Sequence, residues 1–182
     1  GYWWSRYWCY TDNELRQLVD NFDTYSIPLD VLVVDMDWHY TEKGKGAWTG
    51  YTWNRRLFPD PKGFLQWAGS KQLNVTINLH PADGIKPYEE QYPARWMGMN
   101  PDEKKDIDWA ASDKRFMEGW YNTVLRPMER DGVSFWWLDW QQGLNDKEFP
   151  RLGNTWWINY TTFTDMERHR QERPMLYHRW GG

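Results

Sequence analysis

Five short runs of strand-forming residues alternate with segments of helical spacing along this 182-residue sequence. The predicted strands are residues 2–7, 30–35, 74–79, 133–138 and 174–179, and the predicted helices are residues 11–22, 61–71, 113–130 and 155–170. Such alternation is typical of parallel βα units. A closed eight-stranded barrel needs about 250 residues. The pattern therefore predicts an α/β fold, either a smaller open sheet or a partial (β/α)8 TIM barrel, about its first five βα units, in one incomplete domain over residues 1–182.

Two local signals bear on the predicted helices. Thr11 followed by Glu14 has the spacing of a capping box, which satisfies the first backbone N–H groups of a helix. Pro127 lies inside the predicted helix 113–130, where its ring is expected to kink or end the helix.

Charge and composition argue against several classes of partner. The formal net charge is −4, from 22 Lys and Arg against 26 Asp and Glu, and no basic block stands out, so we expect no nucleic-acid partner. No apolar run approaches the roughly 20 residues of a membrane helix, so we expect no membrane partner either. The sequence has a single cysteine, Cys9, which rules out an intrachain disulfide and a cysteine zinc site. It begins with Gly1 rather than Met, which we expect to be a cut or processed end.

Aromatic residues are unusually frequent, with 16 Trp and 11 Tyr. An indole combines apolar faces with an N–H donor, which suits the apolar C–H faces and the hydroxyl rim of a sugar. We expect most of these rings to lie in the core and the remainder to be available to a carbohydrate ligand.

Polar residues collect where the predicted strands end. Asp139 follows the apolar run 133–138, and a charge there is costly to bury unless it is paired. Parallel barrels keep catalytic groups at the C-terminal ends of their strands. The comparable residues are Arg6, Asp35, Asp37, His80, Asp83, Asp139, His178 and Arg179, walled by Trp38, Trp48, Trp53, Trp140 and Trp180. Carboxylates that accept from hydroxyls, arginines that donate and indoles that stack together suit an uncharged polyhydroxylated ligand.

Each of these residues also has a structural interpretation. Asp35 and Asp37 could cap a turn, His80 could be a satisfied core histidine, and Arg179 could simply pair with a carboxylate. A metal site built from histidine and aspartate stays open as well, although the spacing of the residues is not diagnostic. No glycine-rich dinucleotide or phosphate-binding motif is present, so we expect no cofactor.

Several segments, weak alone and specific together, resemble the catalytic barrel of glycoside hydrolase family 31, the retaining α-glycosidases. The resemblance covers nearly the whole chain, and its segments follow in family order: Ile27-Pro-Leu-Asp30, Val34-Asp35-Met-Asp37, Phe58-Pro-Asp60-Pro61, Gly132-Val-Ser-Phe-Trp-Trp-Leu-Asp139, and Arg173-Pro174 through His178-Arg179.

The resemblance implies a role for each matched residue. Asp139 is the expected nucleophile. Asp35 is expected to bind hydroxyls of the sugar in the −1 subsite, and Arg179 to contact the same sugar beside the nucleophile. Trp53 and Trp140 are expected to wall the pocket. Two further residues complete the predicted substrate-binding set: Asp37, two positions after Asp35, and His80, which follows the predicted strand 74–79.

The sequence departs from the family pattern in two places. Many members carry Asp-Met-Asn-Glu around the nucleophile, whereas this chain has Asp139-Trp140-Gln141-Gln142, which leaves the preferred α-linked sugar open. The family acid/base is an Asp in a Gly-Asp segment after the arginine strand. This sequence stops at Gly182 before any such segment, so we expect the acid/base and the rest of the barrel to lie outside these residues.

The sequence therefore predicts a retaining α-glycosidase that acts on a terminal α-linked sugar of an oligosaccharide or glycoside. Three alternatives remain. One is a non-catalytic carbohydrate-binding protein on the same fold. Another is a metal-dependent hydrolase that uses His80, Asp83 and His178. The third is an enzyme of the same fold that cleaves a different bond, such as a lyase.

Overall fold

The computed structural model describes residues 1–42, 48–139, 143 and 145–179. Its strands are β1 (Trp3–Trp4), β2 (Val31–Val34), β3 (Asn74–Leu79), β4 (Phe135–Leu138) and β5 (Leu176–His178). They form one parallel sheet whose spatial order equals the sequence order. This order, with a helical crossover between each pair of consecutive strands, is that of consecutive units of a TIM barrel, so the prediction of a partial (β/α)8 barrel is confirmed.

Three of the crossover helices follow the sequence signals closely. They are α1 (Asp12–Thr24), α2 (Pro61–Ser70) and, between β4 and β5, α4 (Asn154–His169). The capping box of α1 is confirmed: the Glu14 N–H donates to Thr11 Oγ1 at 3.2 Å, and the Thr11 N–H donates to Glu14 Oε2 at 2.8 Å. Two of the four otherwise unsatisfied N–H groups at this end are thereby accounted for.

The helix before β4, named α3, changes its winding along its length. It is α-helical over Lys114–Gly119, π-helical over Trp120–Leu125 and α-helical again over Arg126–Asp131. Pro127 was expected to kink or end this helix, and the helix does not end there but continues to Asp131. The proline lies in the first turn of the last α-helical part, and the wider π turn directly before it relieves the clash between a proline ring and the preceding turn.

The inner face of the sheet is packed with aromatic rings. The Trp3 ring lies 5.3 Å from that of Phe135 and 5.7 Å from that of Tyr177, and Trp137 lies 4.9 Å from Tyr177. Trp3 belongs to β1 and Tyr177 to β5, the two edges of the sheet. Their contact shows that the sheet curls like a barrel wall, and the rings fill the barrel interior beneath the strand ends.

Two irregular segments cover the carboxyl-terminal edge of the sheet. The loop after β2 folds back through an antiparallel bridge between His39 and Trp53. The segment after β3 is closed by a bridge between Ile85 and Ile107. Glu89, which is 5 % exposed, joins the two by accepting hydrogen bonds from the loop residues Tyr51 and Thr52. Within the described ranges, none of the helices has the length and apolar character needed to cross a membrane.

Candidate active site

Four residues leave the sheet at its carboxyl-terminal edge, each directly after the last residue of a strand. Asp35 follows β2, His80 follows β3, Asp139 follows β4 and Arg179 follows β5. The register places Leu79 beside Leu138, and Leu138 beside His178, so the residues that follow them lie at one level. Because side chains alternate along a strand, these residues point to the same inner face as the aromatic layer below.

Asp139 is the centre of the site. Its side chain is buried, at 4 % exposure, and carries two oxygens with different partners. Arg179 Nε donates to Oδ1 at 2.6 Å and Nη2 donates to Oδ2 at 3.3 Å. This nearly bidentate contact offsets the cost of removing the carboxylate from water. The hydrogen bond to Asp139 also raises the pKa of Arg179, so the guanidinium stays charged.

His80 stands beside the same carboxylate. Its Nε2 lies 3.3 Å from Asp139 Oδ2, and the imidazole is 3 % exposed. His80 Nε2 forms no hydrogen bond within the described residues, so the imidazole packs beside the carboxylate without one. The ring is held from the loop side, where Trp48 meets it edge to face at 5.3 Å and Thr49 Oγ1 donates to its backbone carbonyl.

Asp35 contributes a second carboxylate to the mouth. It is half-buried, and its Oδ1 accepts a 2.7 Å hydrogen bond from the Met36 N–H. Burial raises the pKa of Asp35, and the negative charge of Asp139 adds to that rise. Two carboxylates thus lie near one guanidinium at the strand ends, and the repulsion between the two negative charges is only partly offset.

Two other predicted members of the site, Asp37 and Trp53, contact residues other than Asp139. Asp37 has a left-handed backbone with φ of 70°, and its Oδ1 accepts from Thr41 Oγ1 at 3.0 Å. Trp53 is buried at 4 % exposure, packed edge to face against Trp38 and Phe58 at 5.0 Å each, so it supports the pocket from behind. Trp140 lies outside the described residues. Trp48, 41 % exposed, is the described indole that covers His80.

The residues of the metal alternative do not converge. His178 faces α4, where it lines a groove with Trp156 and Tyr160, on the opposite side of the sheet from His80. Asp83 lies exposed in a short 3-10 turn. Within the parts of the chain that the structure describes, no three side chains of His, Cys, Asp or Glu form a group that could hold a metal ion.

Asn78 is a member of the site that the sequence analysis missed. Its Nδ2 donates to Asp139 Oδ2 at 3.1 Å, and the side chain is 1 % exposed. A signal was present in the sequence: Asn78 is an amide inside an apolar strand, two residues before His80 and therefore on the same face. A buried amide in such a run needs a polar partner, and Asp139 is that partner.

Comparison with known proteins gives the family of the chain. Residues 1–180 match the family model described as the glycosyl hydrolases family 31 TIM-barrel domain. An α-xylosidase from Saccharolobus solfataricus is 26 % identical over 148 residues, which are 76 % of this chain and 18 % of that protein. The α-xylosidase XylQ from Lactiplantibacillus pentosus is 31 % identical over 72 residues, 40 % of this chain and 9 % of that protein. The chain therefore spans less than a fifth of each of these relatives.

Solved structures share the fold. A GH31 α-xylosidase from Xanthomonas citri superposes with a TM-score of 0.74 at 15 % identity, covering all of this chain and 23 % of that one. A family 31 α-glucosidase from Bacteroides thetaiotaomicron gives a TM-score of 0.68 at 18 % identity, covering 98 % of this chain and 33 % of that one. At such identities the likeness concerns the fold alone.

Proposed function

This chain belongs to glycoside hydrolase family 31, and from that we propose that the whole protein is a retaining α-glycosidase whose nucleophile is Asp139. The observation that carries the proposal is the buried Asp139 carboxylate, paired with Arg179 at the carboxyl-terminal edge of a parallel barrel sheet. A carboxylate that is to attack carbon must be ionised and rigidly aimed, and the guanidinium favours both.

In the proposed reaction, an oxygen of Asp139 attacks the anomeric carbon of a terminal α-linked sugar. The bond from that carbon to the leaving oxygen breaks as the ester to the enzyme forms, and a second carboxyl group protonates the leaving oxygen. Water then attacks the ester with the same group acting as base, and the sugar is released with its configuration retained. By the family resemblance, this second group is an Asp in a Gly-Asp segment, which these 182 residues do not contain.

The remaining groups at the mouth would bind the sugar. Asp35 is proposed to accept hydrogen bonds from hydroxyls in the −1 subsite, and Arg179 and His80 to border the same sugar. Asp37, Trp53 and Trp140 are proposed as further contributors to the pocket, with Trp53 acting through the residues packed on it. Sugar binding of this kind uses aromatic faces and charged acceptors together.

For the substrate, we propose a terminal α-xyloside or α-glucoside. Two of the relatives are named α-xylosidases, and one of the similar solved structures is named an α-glucosidase. The residues after the nucleophile, Trp140-Gln141-Gln142, differ from the usual family segment, so the choice between these sugars, and against an α-galactoside, has to be measured.

The test is hydrolysis of a panel of aryl α-glycosides by the full-length protein and by its Asp139→Asn variant. We expect turnover of at least one sugar with retained configuration, followed by NMR, and a loss of about 10³-fold or more in the variant. The matched control is Asp102→Asn, which changes an exposed carboxylate outside the proposed site and should leave turnover unchanged. A carbohydrate-binding protein without activity would show affinity for the sugars, no turnover, and no special loss in Asp139→Asn.

A further inference from the structure

The amide of Asn78 contacts the proposed nucleophile from the strand next to it. Asn78 belongs to β3 and Arg179 follows β5, so donors from the strands on both sides of β4 reach the Asp139 carboxylate. Arg179 Nε binds Oδ1 at 2.6 Å, and Asn78 Nδ2 binds Oδ2 at 3.1 Å. Arg179 also reaches Oδ2, through Nη2 at 3.3 Å, so Asn78 is the nearer donor to that oxygen and holds the carboxylate from the opposite side of β4.

Asn78 is itself held in place. Its backbone carbonyl accepts a 2.8 Å hydrogen bond from Trp38 Nε1, and the Trp38 ring is fully buried against Trp53. The register sets Asn78 beside Trp137 of β4, so its main chain is fixed by the sheet as well. The backbone that carries the Asn78 side chain is therefore fixed from two sides, and the side chain itself is buried.

We infer that Asn78 is a positioning residue that orients the Asp139 carboxylate for attack, an inference that rests on the proposed function above. The chemistry of an amide fits this role. It donates to an anion, it is neutral at every pH of interest, and it neither gives up nor takes a proton during the reaction. The side chain of Arg179 is 45 % exposed and provides the positive charge beside Asp139. Asn78 is a buried neutral donor that fixes the orientation of the carboxylate.

The decisive variant is Asn78→Leu in the full-length protein, because leucine keeps the volume and removes the donor. With an aryl α-glycoside, we expect kcat to fall about 10- to 100-fold, the size expected for a lost hydrogen bond to a charged group, while KM changes little. The acidic limb of the pH profile of kcat/KM should move to higher pH, because the ionised carboxylate has lost a donor.

Two further variants separate positioning from a general structural effect. Thr76→Val alters the same inner face of β3 two residues earlier, at a fully buried site beside Phe135, and should leave kcat and the pH profile unchanged. Asn78→Asp sets a carboxylate beside Asp139 and should move the acidic limb upward by more than about one pH unit. Thermal melting of all three variants monitors folding.

The outcomes distinguish this inference from the proposed function. If Asp139→Asn abolishes turnover but Asn78→Leu matches Thr76→Val in kcat and in pH profile, then Asn78 is only a core residue and the inference is overturned. If Asp139→Asn retains full turnover, the assignment of the nucleophile fails first. Loss of activity in Asn78→Leu with a shifted acidic limb and an intact melt supports positioning, because mere loss of fold would not move that limb.

Discussion

Asp35 and Asp139 are a pair of carboxylates that the fold brings together at a cost. Asp139 has the guanidinium of Arg179, whereas Asp35 has the Met36 N–H. Burial first, and the neighbouring charge of Asp139 next, raise the pKa of Asp35. A group whose pKa is higher in the folded state stabilises the fold only at low pH, and that contribution is lost as the pH rises through the folded value.

Asp35→Asn should therefore raise the stability of the protein and lower its turnover. The gain in melting temperature should be present at pH 7. It should shrink when the pH falls below the ordinary pKa of an aspartate, because the carboxyl group is then protonated in both the folded and the unfolded state. Turnover should fall, because an amide no longer accepts from sugar hydroxyls on both of its polar atoms. Melting curves against pH, with exposed Asp102→Asn as the control, check this expectation. Equal effects of the two variants on stability would contradict it.

Among the elements, strand β3 and the start of helix α1 were predicted well. Asn74–Leu79 agrees with its predicted range, and the Thr11 cap was visible from spacing alone. The first strand was predicted over residues 2–7 but extends only over Trp3–Trp4, since aromatic residues favour strands wherever they lie and the pairing with β2 sets the true limits.

Within the site, the sequence located the strand ends and one pairing, that of Arg179 with Asp139, but not the contacts of Asn78. Asp35, His80, Asp139 and Arg179 could be placed because each ends or directly follows a run that predicts a strand. The contact between Asn78 and Asp139 joins residues 61 positions apart, and the link from Trp38 to Asn78 joins residues 40 positions apart. Such contacts depend on register and on the path of the loop, which local patterns do not encode.

The capping box offers a test at the level of one element. Thr11→Ala should cost about 1 kcal/mol, because the side chain that accepts from the Glu14 N–H is removed. In the full-length protein this loss is measured as a lower denaturant midpoint with an unchanged slope. Thr24→Ala is the matched control at the other end of α1, where the hydroxyl donates to the Asp20 carbonyl near solvent, and it should change little. No loss of stability in Thr11→Ala, or an equal loss in both variants, would contradict the stabilising role of the cap.

At the scale of the whole molecule, the curved sheet leaves one side of β5 exposed. In the described part of the chain β5 pairs with β4 alone, and exposed aromatic rings stand beside it on α4 and on the strand itself: Trp156, Tyr160, Phe163 and Tyr177. An open parallel edge next to an apolar surface favours association.

These 182 residues expressed alone should therefore self-associate and should hydrolyse aryl α-glycosides no faster than background. Light scattering after size exclusion measures the association. Trp156→Ser should reduce it, whereas Tyr25→Ser, which removes a 74 % exposed ring from the end of α1, should not. A monomer that melts cooperatively, or turnover comparable to that of the full-length protein, would contradict this expectation.

The account depends on Asp139 being the nucleophile. The most direct measurement is to trap the glycosyl-enzyme in the full-length protein with a mechanism-based fluoroglycoside and to identify the labelled residue by peptide mass spectrometry. The expected result is one sugar esterified to Asp139, with loss of activity in step with labelling. A label on another side chain, or rapid turnover of substrate by an enzyme whose Asp139 has been replaced, would contradict the assignment.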